Sequence, residues 1–168
     1  MKSYQLALAS LTACTLGTAA LADSVSGEVM DRDGNAVGTV SVEDTASGRA
    51  LVTLDLNGLP EGMHAVHLHE TGDCSADDFS SAGGHIAGDN AHGVLAEGGP
   101  HPGDMPNLEI DADGTAWAEV FLSDLDVGTH LTDEDGAAFI VHAGTDDYES
   151  QPSGDAGDRI ACAELAAQ

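Results

Sequence analysis

Three histidines stand within the segment HAVHLHE at positions 64–70. Side chains alternate between the two faces of a β-strand, so in a strand His67 and His69 share one face and His64 lies on the other. Two imidazoles on one face form a candidate chelating pair, because neutral imidazole is a common metal ligand. The H-x-H spacing also occurs by chance, so its interpretation depends on the histidines that follow.

A second set of residues with metal-binding side chains occupies positions 85–104. It contains His85, His92 and His101, and the tight turn HPGD at 101–104 brings His101 close to Asp104. Three imidazole nitrogens and one carboxylate oxygen are the ligand set of a closed tetrahedral zinc site. This segment therefore predicts a zinc site.

One more histidine follows an apolar run. His142 comes directly after AAFIV at 137–141, at the end of a predicted strand. Together with His67 and His69 it could form an imidazole-rich copper site.

Short alternating segments separated by turn residues must position these histidines. SVSGEVM, VGTVSVE, ALVTLDL, TAWAEVFL and AAFIVHA have the apolar content and the length of strands, and DRDGN, TASG and NGLPEG are typical of turns. In ALVTLDL at 50–56, every second residue is apolar, which places one apolar face toward a core. No segment has a long helical period. The sequence therefore predicts an all-β domain, an antiparallel β-sandwich or barrel.

Two segments lack this succession of short strands and turns. Positions 71–114 are rich in Gly, Pro, Asp and His without a clear strand, and a second irregular segment spans 144–159. A structureless loop of that length is uncommon in a compact domain. The segment is therefore either disordered or held by something other than a hydrophobic core, and metal binding can supply the ordering free energy that burial does not.

Charge excludes two classes of partner. The 168 residues suggest one domain, and they include 4 Lys and Arg against 30 Asp and Glu, for a net charge of −26. Nucleic acid is excluded because phosphate binding needs a basic patch. An anionic membrane surface is disfavoured for the same reason.

The first 22 residues have the features of an export signal. Lys2 precedes an apolar run, and the small-residue motif ALA ends at Ala22, so we predict a signal at 1–22 and a periplasmic domain at 23–168. An alternative is lipid attachment at Cys14, which lies in LTAC. Removal of the signal leaves Cys74 and Cys162, either as a disulfide that closes a long loop or as two buried thiols.

From about 62 to 162 the chain resembles the copper/zinc superoxide dismutase family. The resemblance rests on HAVHLHE, SAGGHI, HGVLAEGGPHPGDMPNL, FIVHAG and GDAGDRIAC. It implies a Greek-key antiparallel β-sandwich or flattened barrel with two long loops, stabilised by metals and a disulfide. The implied reaction is dismutation of superoxide to oxygen and hydrogen peroxide by a redox-cycling copper ion beside a structural zinc ion, which would protect the cell envelope.

The resemblance also implies that the two ions share one histidine. His85 would bridge them and would act in catalysis by accepting a proton. The implied ligands are His67, His69, His85 and His142 for copper, and His85, His92, His101 and Asp104 for zinc.

Further roles are implied outside the ligand set. Arg159 in GDAGDRIAC would lie beside copper as a catalytic residue and attract the substrate anion. Asp146 would link a copper histidine to a zinc histidine, although the adjacent Asp147 is an alternative. Cys74 and Cys162 would form the disulfide of the family.

Other functions remain open at this point. A non-catalytic periplasmic copper/zinc carrier on the same fold needs the same histidines, but it does not need Arg159. A zinc-stabilised structural or adhesion domain does not need His67, His69 and His142 to converge. A homodimer is a further option that the sequence leaves undecided.

The second irregular segment differs from the family in its charge. The family often gathers lysines near the active-site channel, whereas positions 144–158 contain no Lys. We therefore predict weak or reversed electrostatic steering of the substrate anion. The acids of this segment are Asp146, Asp147, Glu149, Asp155 and Asp158.

Overall fold

Nine β-strands and two short helical turns make up the part of the chain that the computed structural model describes, residues 23–168. The predicted export signal at 1–22 and Cys14 lie outside the described residues. The strands are β1 (Ser24–Asp31), β2 (Ala36–Asp44), β3 (Ala50–Leu56), β4 (Gly62–His64), β5 (Val66–His69), β6 (Leu108–Ile110), β7 (Ala116–Leu122), β8 (Ala137–His142) and β9 (Arg159–Ala167). The turns are a 3₁₀-helix at Ser80–Ala82 and α1 (Val127–His130).

All strand pairs are antiparallel. Seven strands form one sheet in the order β5-β8-β9-β1-β2-β3-β7, and β4 pairs with β6 in a small second sheet. Only Ala65 separates β4 from β5, so the small sheet continues the edge of the large one. The sheet curls around a shared core, which confirms the predicted all-β antiparallel fold.

The core follows the alternation of the strands. In β3, Ala50, Val52, Leu54 and Leu56 are all buried, which confirms the face predicted from ALVTLDL. Each buried Val or Leu side chain contributes about 1.5–3 kcal/mol of hydrophobic transfer free energy. The core therefore supplies a rigid support for the loops that carry the histidines.

Strand β8 separates two apolar clusters. Phe139 and Val141 belong to the main core, whereas Ala138 and Ile140 face a smaller cluster with Phe79. All six residues of β8 are buried, because one face meets each cluster. This arrangement fixes the end of the strand, where His142 stands.

A disulfide ties the first long loop to the last strand. Cys74 and Cys162 are bonded across 88 positions of sequence, with their Cα atoms 6.0 Å apart. Closing a loop of this length stabilises the fold by about 4–5 kcal/mol in the chain-entropy model. The disulfide is confirmed, and the alternative of two free thiols is wrong.

The first long loop contains one strand that the sequence did not indicate. Its residues Leu108–Ile110 form β6 and pair with β4, with Glu109 opposite Met63. A three-residue strand has too few residues for its alternation to be recognised in sequence. The prediction that positions 71–114 lack a strand is therefore wrong at this place.

Candidate metal centre

Two adjacent strands place three of the predicted histidines. His67 and His69 lie on β5, and His142 ends β8, which pairs with β5. The ring centroids of His67 and His142 are 4.9 Å apart, and those of His69 and His142 are 5.8 Å apart. These three histidines therefore converge, which a zinc-stabilised structural domain would not require.

The first long loop reaches these strands through the free edge of β5. The Ile86 amide donates to the Leu68 carbonyl at 2.9 Å, and the Leu68 amide donates to the Gly103 carbonyl at 3.0 Å. Gly103 is necessary here because a Cβ at this position would lie 2.6 Å from the Leu68 oxygen. The pairing carries the neighbouring residues His85 and Asp104 to the edge of the sheet.

Four histidines form a first group around one point. Their candidate ligand nitrogens all lie within 4.8 Å of one another, and all four side chains are buried. Each has one nitrogen without a hydrogen-bond partner, which is costly for a buried polar atom unless a ligand completes it. These atoms are His67 Nδ1, His69 Nε2, His85 Nε2 and His142 Nε2.

The opposite ring nitrogens of three of these histidines are fixed by acceptors. His69 Nδ1 donates to the Gly83 carbonyl at 3.1 Å, and His142 Nδ1 donates to the Gly157 carbonyl at 3.3 Å. His67 Nε2 donates to Asp146 Oδ2 at 2.9 Å. Because a neutral imidazole carries one proton, these bonds leave the inward nitrogen with a free lone pair.

Burial keeps the same histidines neutral. Desolvation lowers the pKa of His67 to about 4, that of His142 to about 3 and that of His69 to about 2. A hydrogen bond to Asp146 partly offsets the desolvation of His67. Neutral imidazole at pH 7 is the form that binds a metal ion.

A second group surrounds the Asp104 carboxylate. Asp104 Oδ1 lies 3.1 Å from His85 Nδ1, 3.1 Å from His92 Nδ1 and 3.2 Å from His101 Nδ1. A tetrahedron with metal–ligand distances of about 2.0–2.1 Å has edges of about 3.3 Å, so these spacings match one shared zinc ion. His85 thus presents one nitrogen to each group.

His67 also lies close to the second group. Candidate ligand atoms of His67, His85, His92 and Asp104 all lie within 4.8 Å of one another. However, His67 Nε2 is already bonded to Asp146, whereas His101 Nδ1 has no hydrogen-bond partner. We therefore count His101, and not His67, in the second group.

The charge of Asp104 is stabilised by its neighbours. Burial opposes ionisation, but hydrogen bonds from His85 and from the amides of Gly93 and His101 outweigh it and hold the pKa of this carboxyl far below its usual range. The two amides donate to Oδ2 at 2.9 and 3.0 Å, which leaves Oδ1 directed at the three imidazoles.

Asp146 links the two groups. Its Oδ2 accepts from His67 and its Oδ1 accepts from His92 Nε2 at 3.0 Å. Burial opposes ionisation, yet the bonds from both histidines lower the pKa of Asp146 to about 2. The adjacent Asp147 is exposed and accepts only from loop amides, so the structure has Asp146 and not Asp147 in this contact.

Arg159 lies at the mouth of the first group. Its Nη1 donates to the Phe79 carbonyl at 2.7 Å, and its Nη2 donates to the Gly83 carbonyl at 2.6 Å. The side chain borders an open cavity of about 220 Å³, together with His69, His85 and His142. A small anion that enters this cavity meets the guanidinium and the histidine group together.

Two amide side chains that the sequence analysis did not single out join the loops. Asn107 Nδ2 donates to the Asp146 carbonyl at 2.9 Å, and the Asp146 amide donates to Asn107 Oδ1 at 2.8 Å. Gln151 holds the backbone of His92 in the same two-point manner, with both distances 2.9 Å. Their partners are far away in sequence, so no local pattern could have revealed these contacts.

The donor sets fit copper and zinc. Four buried imidazoles with free lone pairs suit copper, and three imidazoles with one carboxylate suit zinc. His64 is outside both sets, since its Nδ1 contacts the His142 carbonyl at 2.7 Å and its Nε2 the Pro60 carbonyl at 3.0 Å. It joins β4 to the end of β8.

Comparisons with known proteins agree with this chemistry. The family model described as copper/zinc superoxide dismutase (SODC) matches residues 36–165. The Cu-Zn superoxide dismutase of Caulobacter vibrioides is 42% identical over 137 residues, which cover 77% of this chain and 78% of that protein. That of Escherichia coli K12 is 32% identical over 96% of this chain and 98% of its own length.

Solved structures give the same result. A SOD-like protein from Bacillus subtilis superposes with a TM-score of 0.79 at 35% identity, covering 84% of this chain and 97% of that one. The Cu/Zn superoxide dismutase from Brucella abortus superposes with a TM-score of 0.69 at 28% identity, covering 85% and 99%. The resemblance to the family is thus confirmed over most of the described domain, and the chain belongs to the copper/zinc superoxide dismutase family.

Proposed function

We propose that this chain dismutates superoxide with copper bound by the first histidine group and zinc bound by the second. The observation that carries the proposal is the set of buried imidazole nitrogens that have no hydrogen-bond partner. Copper, when bound, supplies the redox chemistry that oxidises one superoxide to oxygen and reduces another to hydrogen peroxide. The proposed ligands are His67, His69, His85 and His142 for copper, and His85, His92, His101 and Asp104 for zinc.

His85 and Arg159 are the proposed catalytic residues. His85 directs Nδ1 toward Asp104 and Nε2 toward the other group, so Nε2 is the atom at which we expect it to take up a proton during turnover. Arg159 is held by two carbonyls at the border of the cavity, where its charge attracts the superoxide anion. Asp146 orients His67 and His92 without contacting the substrate.

The test is superoxide removal by the copper- and zinc-loaded protein. We expect activity in the wild type and a decrease of about tenfold in the Arg159→Ser variant at limiting superoxide, because the cavity loses its cation. Arg49→Ser is the matched control, since Arg49 is exposed in the turn before β3. Unchanged activity in Arg159→Ser would contradict the role of this arginine.

The carrier alternative predicts a different outcome. A copper and zinc carrier would bind both metals without removing superoxide. No feature of residues 23–168 favours this alternative, whereas the position of Arg159 beside the cavity favours the enzyme. Stoichiometric metal binding by an inactive wild type would favour the carrier.

We further propose export to the periplasm, with cleavage before Asp23. The disulfide between Cys74 and Cys162 supports an oxidising compartment. Within residues 23–168, no helix is both long enough and apolar enough to cross a membrane. The mass of the protein recovered from a bacterial host tests this proposal: an N-terminus at Asp23 is expected, and an acylated N-terminal Cys14 would favour the lipid anchor.

We also propose that the chain self-associates through exposed apolar side chains on β7. Trp117 and Phe121 point to the same side of β7 and are 65% and 69% exposed, and the exposed Val94 borders the same cavity as Phe121. A second copy can cover this apolar surface, whereas acidic surfaces repel each other in a pair of identical chains. Sedimentation equilibrium should show a dimer that Phe121→Glu dissociates; a monomer at high micromolar concentration would contradict the proposal.

A further inference from the structure

Phe79 has a backbone conformation that is unusual for its residue type. Its φ and ψ angles are +58° and 20°, in the left-handed region, and it precedes the 3₁₀-helix at Ser80–Ala82. For a residue with a side chain this conformation is unfavourable, because Cβ comes too close to the following carbonyl oxygen. Such a strained residue persists only where its surroundings hold it, and it often marks a functional position.

Burial of the aromatic ring holds this strained turn in place. Phe79 is only 5% exposed, and it packs in the small cluster with Ala82, Ala138, Ile140 and Cys162. This cluster is separate from the main core and lies beside the disulfide. The free energy gained by burying this large apolar side chain opposes the backbone strain.

The strained turn directs its carbonyl toward Arg159. The Phe79 oxygen accepts from Arg159 Nη1 at 2.7 Å and from the Ala82 amide at 3.2 Å. At the other end of the turn, the Gly83 oxygen accepts from Arg159 Nη2 at 2.6 Å and from His69 Nδ1 at 3.1 Å. The guanidinium thus donates to two carbonyls, and the direction of the Phe79 carbonyl depends on the backbone conformation of Phe79.

We propose that Phe79 is a positioning residue for Arg159. Its buried ring holds the backbone in the left-handed conformation, and that conformation holds the guanidinium at the border of the cavity. Without the ring the turn relaxes toward an ordinary conformation, and Arg159 loses one of its two anchors. The inference rests on the proposed anion-attracting role of Arg159.

Binding of a small anion tests the inference apart from catalysis. Azide is titrated into the copper- and zinc-loaded protein, and its dissociation constant is read from the visible spectrum. We expect Phe79→Ala to weaken azide binding about three- to tenfold. In an Arg159→Ala background the same substitution should have no further effect, because Phe79 acts only through Arg159.

Two further variants separate positioning from general destabilisation. Ile140→Ala removes a buried side chain from the same cluster without changing the turn, so it should lower the melting temperature but leave azide binding unchanged. Phe79→Leu keeps an apolar side chain that can fill the cluster, so it should restore azide binding. If Phe79→Ala does not fold, Phe79→Val replaces it, since a β-branched residue is especially disfavoured in the left-handed region.

Three results would overturn the inference. They are equal weakening by Phe79→Ala in both backgrounds, no weakening in a folded variant, and weakening by Ile140→Ala as large as that by Phe79→Ala. None of these depends on turnover. An inactive wild type would instead refute the proposed function, so the two failures are distinguishable.

Discussion

Four imidazoles of the metal centre are oriented by a contact of the ring nitrogen that does not face a ligand group. Backbone carbonyls hold His69 and His142, and a carboxylate holds His67 and His92. These contacts select the tautomer before any metal binds, which lowers the reorganisation needed on binding. Asp146 is the only one of these acceptors that is a side chain, so its position depends on the space left by its neighbours.

Gly154 provides the space for Asp146. Its φ is +68°, and a Cβ there would overlap the Asp146 carboxylate and lie 2.6 Å from His92 Nε2. We therefore expect Gly154→Ala to displace Asp146 and to weaken zinc binding about 10–100-fold, the usual effect of losing an outer partner of a metal ligand. Competition with a chelator measures the zinc dissociation constant.

Gly34 offers a matched control for this substitution. It has a φ of +80°, but no atom lies within 4 Å of the Cβ that an alanine would add. Gly34→Ala and Gly154→Ala should both lose about 1–2 kcal/mol of stability from the left-handed backbone, and only Gly154→Ala should lose zinc affinity. Equal zinc affinity in the two variants would exclude the proposed overlap.

Acid should destabilise the metal-free protein. Burial lowers the pKa of His67 to about 4 in the folded protein, against about 6.5 for an unperturbed histidine. The unfolded chain therefore binds more protons between these pH values. Stability is therefore complete above about pH 6.5 and decreases as the pH falls toward 4, by about 3 kcal/mol from His67 alone. Asp146, with a pKa of about 2, extends the loss below pH 4.

Urea denaturation of the metal-free protein at pH 7, 6, 5 and 4 measures this loss. His130→Gln is the control, because His130 ends helix α1 and its ring contacts Asp126 rather than a residue of the centre. It should show the same pH dependence as the wild type, whereas His67→Gln should show a shallower one. A urea midpoint that stays constant between pH 7 and 4 would contradict the burial of neutral histidine.

At the scale of the elements, strands were predictable and loop contacts were not. Alternation is local, so ALVTLDL revealed the buried face of β3. The pairing of Leu68 with Ile86 and Gly103 joins distant positions through backbone atoms, which leave no pattern in side-chain type. The histidines were recognisable because metal chemistry restricts their residue type, whereas the amide contacts of Gln151 impose no such restriction.

Gln151 joins the second long loop to a residue of the zinc group. Its side chain accepts from the His92 amide and donates to the His92 carbonyl, and the following residue, Pro152, borders the cavity near Arg159. We expect Gln151→Ala to speed zinc release about tenfold, because the backbone of His92 loses both contacts.

Zinc transfer to a colorimetric chelator measures the release rate of this variant. Gln168→Ala is the matched control, since Gln168 is exposed at the C-terminus and contacts only β1. The control should release zinc at the wild-type rate. Equal rates in the wild type and Gln151→Ala would show that the loop is held without this contact.

At the scale of the molecule, the charge is unusual for an enzyme with an anionic substrate. The chain has 30 acidic and 4 basic side chains, and only Arg32, Arg49 and Arg159 are basic after position 22. The composition alone predicted that a negatively charged protein would repel its anionic substrate. The structure is needed to locate the acids. Asp146 is buried and bonded to two histidines, so it is not part of the exposed field.

The electrostatic field outside this surface therefore depends on the other acids of the second long loop. Asp147, Glu149, Asp155 and Asp158 are exposed on this loop, and Arg159 is the cation at the border of the cavity. We therefore expect superoxide to be repelled by these acids at long range and attracted by Arg159 at short range. Salt screens the long-range repulsion first, because the Debye length falls from about 30 Å at 0.01 M to about 8 Å at 0.15 M.

The second-order rate constant with superoxide should therefore stay flat or rise as ionic strength increases. Stopped-flow measurements in a non-coordinating salt from 0.01 to about 0.2 M test this. Replacing Glu149 and Asp155 by Lys should raise the rate at low salt and make it fall with salt, since steering then becomes attractive. Replacing Glu28 and Glu43 by Lys, on β1 and β2, changes the net charge by the same amount away from this loop and should produce a smaller change. A steep fall of the wild-type rate with salt would mean that Arg159 and the metals dominate the field even at long range.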